Sequence, residues 1–286
     1  MTWPTLHFKG WEDILTIQKN LPERVLGKSS DKSDYIFRGQ ANADWHLVPT
    51  LTRMLNKINP KIDSREAEEI EVALLDYFVT NAHRYFSQAV LATRDNPAAR
   101  WSLMQHHGGP TRLLDWTNNL LVAAFFAISS HPDQDGAIWI FHAKPVNDEA
   151  RRKLHSVQAG YKMLQSGMAQ SVVQIWMENG SHVERVIAQD GLFTLCHQIF
   201  GSQEDLIETA FQPGSDGSRK DLPKMFCRIT IPKDLKPVFL RKLDSMDVTP
   251  KSLFPGDDGL GRSLRELAMK LAGDLSHHRL TVFFNS

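Results

Sequence analysis

The chain has 286 residues, 42% of them hydrophobic and 23% charged, enough for a sizeable buried core in one large or two modest domains. Lys plus Arg (33) equals Asp plus Glu (33), so no global charge steers it to nucleic acid or membrane, and such a partner must be met locally. Two cysteines, Cys196 and Cys227, exclude a disulfide framework, and a Met1-Thr2-Trp3-Pro4 start with no run near the roughly 18 apolar residues of a membrane helix makes a cytoplasmic protein without a membrane partner the default.

From Thr5 to Leu26 a mixed segment places Trp11, Ile14, Leu15 and Gln18 at helical spacing, expected to pack on the outside. Tyr35 to Gln40 reads as a strand whose apolar run stops at Arg38 and Gly39, so the charge sits where the strand emerges. Trp45, Leu47 and Pro49 alternate, and Thr50 to Leu55 is a helical turn. Asp63 with Glu66 forms a capping box before Ile70, Leu74, Phe78, Ala82 and Phe86, a four-residue stripe that predicts an amphipathic helix with a core face.

Gln105 to Asn119 is the stretch around which the chain is organised. Gly108-Gly109-Pro110 puts His106 and His107 in a tight loop rather than a helix. Thr111 to Asp115 is a short buried strand, Thr117 or Asn118 caps the next helix, and Leu120 to Ser129, apolar on nearly every face, is a core helix. This order puts a carboxylate, an indole and a hydroxyl at one strand end, beside helix N–H groups suited to an anion.

Asp135-Gly136 turns into a buried strand, Ala137 to Phe141, and Asn147 caps a helix through Leu154. Gln158 to Asn179 is a loop-rich insertion apart from Val172 to Met177. Arg185 to Leu195 holds two apolar runs split by Gln189-Asp190-Gly191, a strand from Arg185 to Ala188 that bends or turns at a polar site. A short helix at Glu204 to Phe211, a loop at Pro213 to Lys220, a strand at Met225 to Ile231, helices at Lys233 to Met246 and Gly261 to Leu271 and a terminal strand at Leu280 to Phe284 complete an α+β pattern, a mixed sheet core with surrounding helices. The expected division is an N-terminal helical segment, 1–34, a main domain, 35–262, and a C-terminal helix and strand, 263–286, packed on the same body.

Arg38 is either a surface ion-pair partner or an anion-gripping fork beside a glycine that lets a ligand approach. Adjacent His106 and His107 diverge, no spaced Cys or His cluster occurs, and no metal site is expected. Walker, Gly-x-Gly-x-x-Gly and Gly-x-Ser-x-Gly patterns are absent, which argues against a P-loop ATPase, a Rossmann dehydrogenase and a serine hydrolase.

Phe37-Arg38-Gly39-Gln40, Trp45-x-Leu47-x-Pro49-x-x-x-Arg53, Gln105-His106-x-Gly108-x-Pro110-Thr111-Arg112-Leu113-Leu114-Asp115-Trp116-Thr117 and Ala123-x-Phe125-Phe126-Ala127 together resemble the FRG domain, a family named for its Phe-Arg-Gly motif. Ala188-Gln189-x-Gly191-x-Phe193-Thr194 and Ser252-Leu253-Phe254-Pro255-x-x-x-Gly259-Leu260 continue the likeness to about Gly261.

A more distant resemblance, to ADP-ribosyltransferases of the Arg-Ser-Glu type, implies chemistry. In those enzymes an aromatic-Arg-Gly strand holds the NAD pyrophosphate, a Ser-Thr-Ser strand leads into a helix with Ala-x-x-Phe, and a later strand bears a catalytic glutamate. Arg38-Gly39 is similar to the first element and Thr117 with Ala123 to Phe126 to the second, while Gln189 stands where the glutamate would be.

The resemblance implies an ADP-ribosyltransferase-like fold with NAD contacted by Arg38, Gly39, Gln40, Arg112, Trp116 and Thr117, and with Asp115, Gln189 and His106 as catalytic residues. Asp115, Asp190 or Glu184 would supply the charge that Gln189 lacks. The activity implied is that of a toxin or antiphage defence effector modifying nucleic acid or protein, with an antitoxin or regulatory protein as a further partner. Arg219, Lys220, Lys224, Arg228, Lys233 and Lys236 around Phe226 are either a phosphate-contacting patch or a solvated face. The alternatives are a non-catalytic nucleotide-binding module and a metal-dependent nuclease using His106, His107 and Asp115.

Overall fold

A computed structural model describes residues 3–20, 35–93, 97–154, 172–176, 184–211, 226–256, 259, 261–264 and 267, without the side chains of 83, 86–92 and 97. Its strands are β1 (Thr5–His7), β2 (Tyr35–Gln40), β3 (Leu113–Thr117), β4 (Gly136–His142), β5 (Val173–Trp176), β6 (Gly191–Cys196) and β7 (Phe226–Ile231). They form one mixed seven-stranded sheet in the order β1-β7-β4-β2-β3-β6-β5, in which β1 and β7 are parallel and the other pairs antiparallel. The fold is therefore α+β with a mixed sheet and surrounding helices, as the strand and helix pattern predicts.

The join between β2 and β3 positions the site. β2 pairs with β4 from Tyr35↔His142 to Gln40↔Ala137, and β3 with β6 from Leu113↔Leu195 to Thr117↔Gly191, whereas β2 and β3 meet at Phe37↔Thr117 alone. Beyond that bridge the two strands part, and Arg38 to Gln40 run along one side of the fork.

Helix α5 (Leu120–Ile128) lies across this region, its N-terminal N–H groups of Leu121 and Val122 donating to the Asn119 side chain. The cap is thus Asn119 rather than Thr117 or Asn118. The helix is buried as its composition predicts, and it packs very close: a Cβ on Gly39 would stand 1.9 Å from the Ala123 carbonyl oxygen, and one on Gly136 2.1 Å from that of Ala127. Gly39 is therefore a packing glycine, filled from behind by a helix, and not an opening for a ligand. Ala123 and Ala127, four apart on one helix face, are the small residues that permit the approach.

On that face Phe37, Ile138, Ile140, Ile229 and Ile231 share a core with α5, α1 (Trp11–Asn20) and α9 (Lys236–Asp244). The other face packs Ile36, Trp116, Trp139, Phe141 and Phe226 with Trp3 and with α8 (Gln203–Thr209). The N-terminal segment does not sit outside: Trp3, Phe8, Trp11 and Ile14 are all core residues, and Thr5–His7 is a strand on β7.

The capping box before α3 (Ser64–Ala92) forms in both directions, Glu66 N donating to Asp63 and Asp63 N to Glu66. Ile70, Leu74 and Phe78 are half-buried and Ala82 is buried along the expected stripe. The turn expected at Thr50 to Leu55 is a full helix, α2 (Thr50–Ile58), and Val173–Trp176 pairs with β6 as an edge strand.

Several local expectations are corrected. His106 ends helix α4 (Pro97–His106); the loop begins one residue later, where Gly108 at φ 83 takes the left-handed conformation and the N–H groups of Gly108 and Gly109 close on the carbonyls of Gln105 and Met104. Strand β3 starts at Leu113, two residues late, so Asp115, Trp116 and Thr117 lie within it rather than beyond its end. Helix α6 (Ala143–Leu154) begins directly after β4, without waiting for Asn147. Residues 184–188 form helix α7 (Glu184–Ala188), not a strand, because the turn at Asp190, φ 45, reverses the chain just before β6. Helix α10 (Pro250–Leu253) follows α9, and residues 261–264 are helical; the expected strand at Leu280 to Phe284 lies outside the described residues.

Candidate nucleotide site at the sheet fork

Arg38 occupies the fork. Its Nη1 donates to the Asp115 backbone carbonyl at 2.6 Å, replacing the ladder bond that a continuous β2–β3 pair would make. Its Nε is buried and has no partner. Burial lowers the Arg38 pKa, with a smaller push in the same direction from Arg53 and an opposing pull from the Asp115 carboxylate. A guanidinium remains charged under such a shift, so the fork holds a cation with a donor to spare.

Two cavities meet at this residue. The larger, about 920 Å³, is lined by Arg38, Gly39, Gln40, Asp44, Trp45, Arg53, Phe125, Phe126, Phe254 and Arg262 among others. The smaller, about 150 Å³, is lined by Arg38, Gly39, Asp115, Trp116, Thr117, Phe126, Arg185 and Gln189. Strands β2 and β3, α5 and the turn before β6 thus bring residues 38, 115, 117 and 189 onto one wall although they are far apart in the chain.

Each is held differently. Asp115 is exposed, and its Oδ1 accepts from the Gln105 amide at 2.7 Å. Thr117 donates its hydroxyl to the Gln189 carbonyl at 2.7 Å, and the Gln189 amide donates to the Leu253 carbonyl at 3.0 Å. Gln40 accepts from Trp139 Nε1 at 2.6 Å and donates to the His46 carbonyl at 3.2 Å. The Trp116 indole donates to Thr194 at 2.8 Å and packs edge-on against Phe141 in the core.

Two expected site residues stand elsewhere. Arg112 lines neither cavity and is 1% exposed; its Nε and Nη2 grip the Glu71 carboxylate and its Nη1 reaches the His197 carbonyl. His106 also lines neither, and its ring lies 4.9 Å from that of His107. The basic run is divided too: Lys236 is buried, donating to the carbonyls of Ala41, Ser130 and His131, and Arg228 lies over the Trp139 ring, while Arg219, Lys220 and Lys224 fall outside the described residues.

Sequence reasoning gave no ligand role to Trp45, Arg53, Phe254, Arg185 or Arg262. The Phe254 ring has the Arg185 guanidinium at 4.7 Å and that of Arg262 at 4.0 Å, with Phe126 edge-on at 5.9 Å. Trp45, Arg53 and Phe254 do occur in the quoted motifs, and that was the available signal. Among the described residues no group of three or more His, Cys, Asp or Glu side chains could hold a metal ion, and no helix is long and apolar enough to cross a membrane. Burial pushes the thiols of Cys196 and Cys227 up to about 11, away from the thiolate that a nucleophile needs.

In comparison with known proteins, residues 33–136 match the FRG domain family, a span that ends just as β4 begins. No curated protein and no solved structure matches the chain. The matched span holds Arg38, Gly39, Trp45, Arg53, Asp115 and α5; the Gln189 turn and Phe254 lie beyond it.

Proposed function

With an FRG-domain match over the residues that build the fork, we propose that this chain binds a dinucleotide of the NAD class at Arg38 and acts as an ADP-ribosyltransferase-like toxin or defence enzyme on a nucleic-acid or protein target. The observation that carries the reading is the pair of arginines, Arg38 and Arg53, that line one cavity of about 920 Å³. Arg53 is held by the Val48 carbonyl and the Thr50 hydroxyl, and Arg38 by a backbone carbonyl, so among the described residues neither makes an ion pair with a carboxylate. Two such guanidiniums suit a diphosphate, which neutralises both and takes up the free Nε donor. The forked sheet, with the arginine strand on one side and the Thr117 strand leading into α5 on the other, supports the transferase-like arrangement.

In the transfer, the bond from ribose to nicotinamide breaks and its electron pair leaves with nicotinamide. A lone pair of the acceptor then forms the new bond to the ribose, and the acceptor's proton passes to a base. We assign to Asp115, the exposed carboxylate that lines the smaller cavity with Arg38, the countering of the developing positive charge and the uptake of that proton. A second reading, nucleotide binding without catalysis, is favoured by Gln189, whose amide is committed to the Leu253 carbonyl.

The test is calorimetric NAD binding together with label transfer from NAD to separate pools of RNA, DNA and cell protein. Arg38→Ala should weaken NAD binding by on the order of ten- to a hundredfold while still unfolding cooperatively. Wild-type NAD affinity in a folded Arg38→Ala protein would remove the anion-gripping role. Binding without label transfer or nicotinamide release would select the second reading.

A further inference from the structure

We infer that Trp45 is the platform on which the adenine of the bound nucleotide stacks, a proposal that rests on the nucleotide-binding reading above. Residues 41–49 form neither helix nor strand, yet they are firmly tied. The Ala41 carbonyl accepts from Lys236 at 2.8 Å, Ala43 N donates to the Asp135 carbonyl at 2.7 Å, and the Gln40 amide holds the His46 carbonyl at 3.2 Å. One carboxylate, that of Glu204, takes both His46 Nδ1 and the Leu47 amide.

Such a loop has no difficulty burying its apolar groups, for Leu47 is 0% exposed. Trp45, two residues earlier, is left 43% exposed on the wall of the cavity that Arg38 and Arg53 share. Its ring meets His131 at 5.0 Å and 82°, a perpendicular contact. His131 is itself fixed, at φ 49 with its carbonyl on Lys236, so the indole rests on an anchored neighbour.

A tethered, part-exposed aromatic ring on the wall of a cavity that holds two cations selects a ligand that is planar at one end and anionic at the other. Asp44, the neighbouring residue in the same cavity, offers a carboxylate acceptor, which suits the exocyclic amino group of adenine. The ligand class is thus an adenosine diphosphate, alone or as part of a dinucleotide.

The experiment compares ADP with inorganic pyrophosphate by calorimetry on the full chain, as wild type, Trp45→Ala and Trp45→Phe. Wild type should bind ADP more tightly than pyrophosphate. Trp45→Ala should lose ADP affinity on the order of ten- to a hundredfold with pyrophosphate affinity and unfolding midpoint unchanged, and Trp45→Phe should recover most of the loss. Pyrophosphate binding with equal ADP affinity in wild type and Trp45→Ala overturns the platform and leaves the arginine pair standing. A wild-type protein that binds neither ligand overturns the reading of the cavity, and the platform with it.

Discussion

Glu71→Ala is expected to destabilise the protein by about 3–5 kcal/mol, the usual cost of leaving one partner of a buried ion pair behind. Glu71 is 3% and Arg112 1% exposed, and the guanidinium is held at Nε by 2.7 Å and again at Nη2. Without Glu71, Arg112 keeps only the His197 carbonyl at 2.9 Å and the Trp101 ring, whose centre is 5.6 Å from the guanidinium carbon. The pair also ties α3 to the start of β3, so its loss loosens the base of the fork. A midpoint drop of roughly 6–20 °C should follow for a chain of this size. Thermal unfolding followed by circular dichroism measures the midpoint, and urea unfolding the free energy. Glu71→Leu with Arg112→Met should recover most of the loss, since exchanging both charges for apolar groups is near neutral, and should bind ADP with wild-type affinity. A single Glu71→Ala variant within about 1 kcal/mol of wild type, or a double variant less stable than the single, would refute the reasoning.

Gly39→Ala should cost about 1–3 kcal/mol or more, because the new Cβ meets the Ala123 carbonyl at 1.9 Å and the Ala127 amide nitrogen at 2.7 Å; an unchanged unfolding midpoint would show that α5 is not wedged there. Burial, and then Arg112, lower the pKa of His197 from 6.5 to about 4, so between those pH values the unfolded chain binds a proton that the fold resists. Stability should therefore be complete above pH 6.5 and fall as pH drops towards 4, by up to about 3 kcal/mol, and an equal pH slope in His197→Gln would contradict this. Gln189→Glu should lose about 1–3 kcal/mol, since a carboxylate cannot donate to the Leu253 carbonyl; wild-type stability on urea unfolding would mean that this bond carries nothing.

What the sequence made legible was the material that repeats or breaks a pattern. The α5 run is apolar at every turn and could only be buried; Tyr35 to Gln40 and Ala137 to Phe141 are short apolar runs and are neighbouring central strands. The Asp63 and Glu66 pair announced the start of α3. Residues whose partners are distant were not legible. Arg112 looked like a ligand contact beside Asp115, and only the fold reveals Glu71, 41 residues away, as its partner. Arg185 to Ala188 has strand-like composition, but the reversal at Asp190 takes its pairing away. The cavity itself joins Trp45 and Arg53, which share one motif, to Phe254 about 200 residues on, and no local spacing connects the two.

The close seating of α5 sets a rule for how this chain can drift. Positions 39, 136, 123 and 127 act as a quartet at the seam between helix and sheet, and any of them made larger lifts the helix from the sheet. Phe125 and Phe126 ride on that helix and line the cavity wall, so lifting it moves the wall with it. The bore of the cavity is thus fixed by atoms that are missing at the helix–sheet seam, and a variant with a wider or narrower cavity is as accessible through those four small residues as through the arginines that line it.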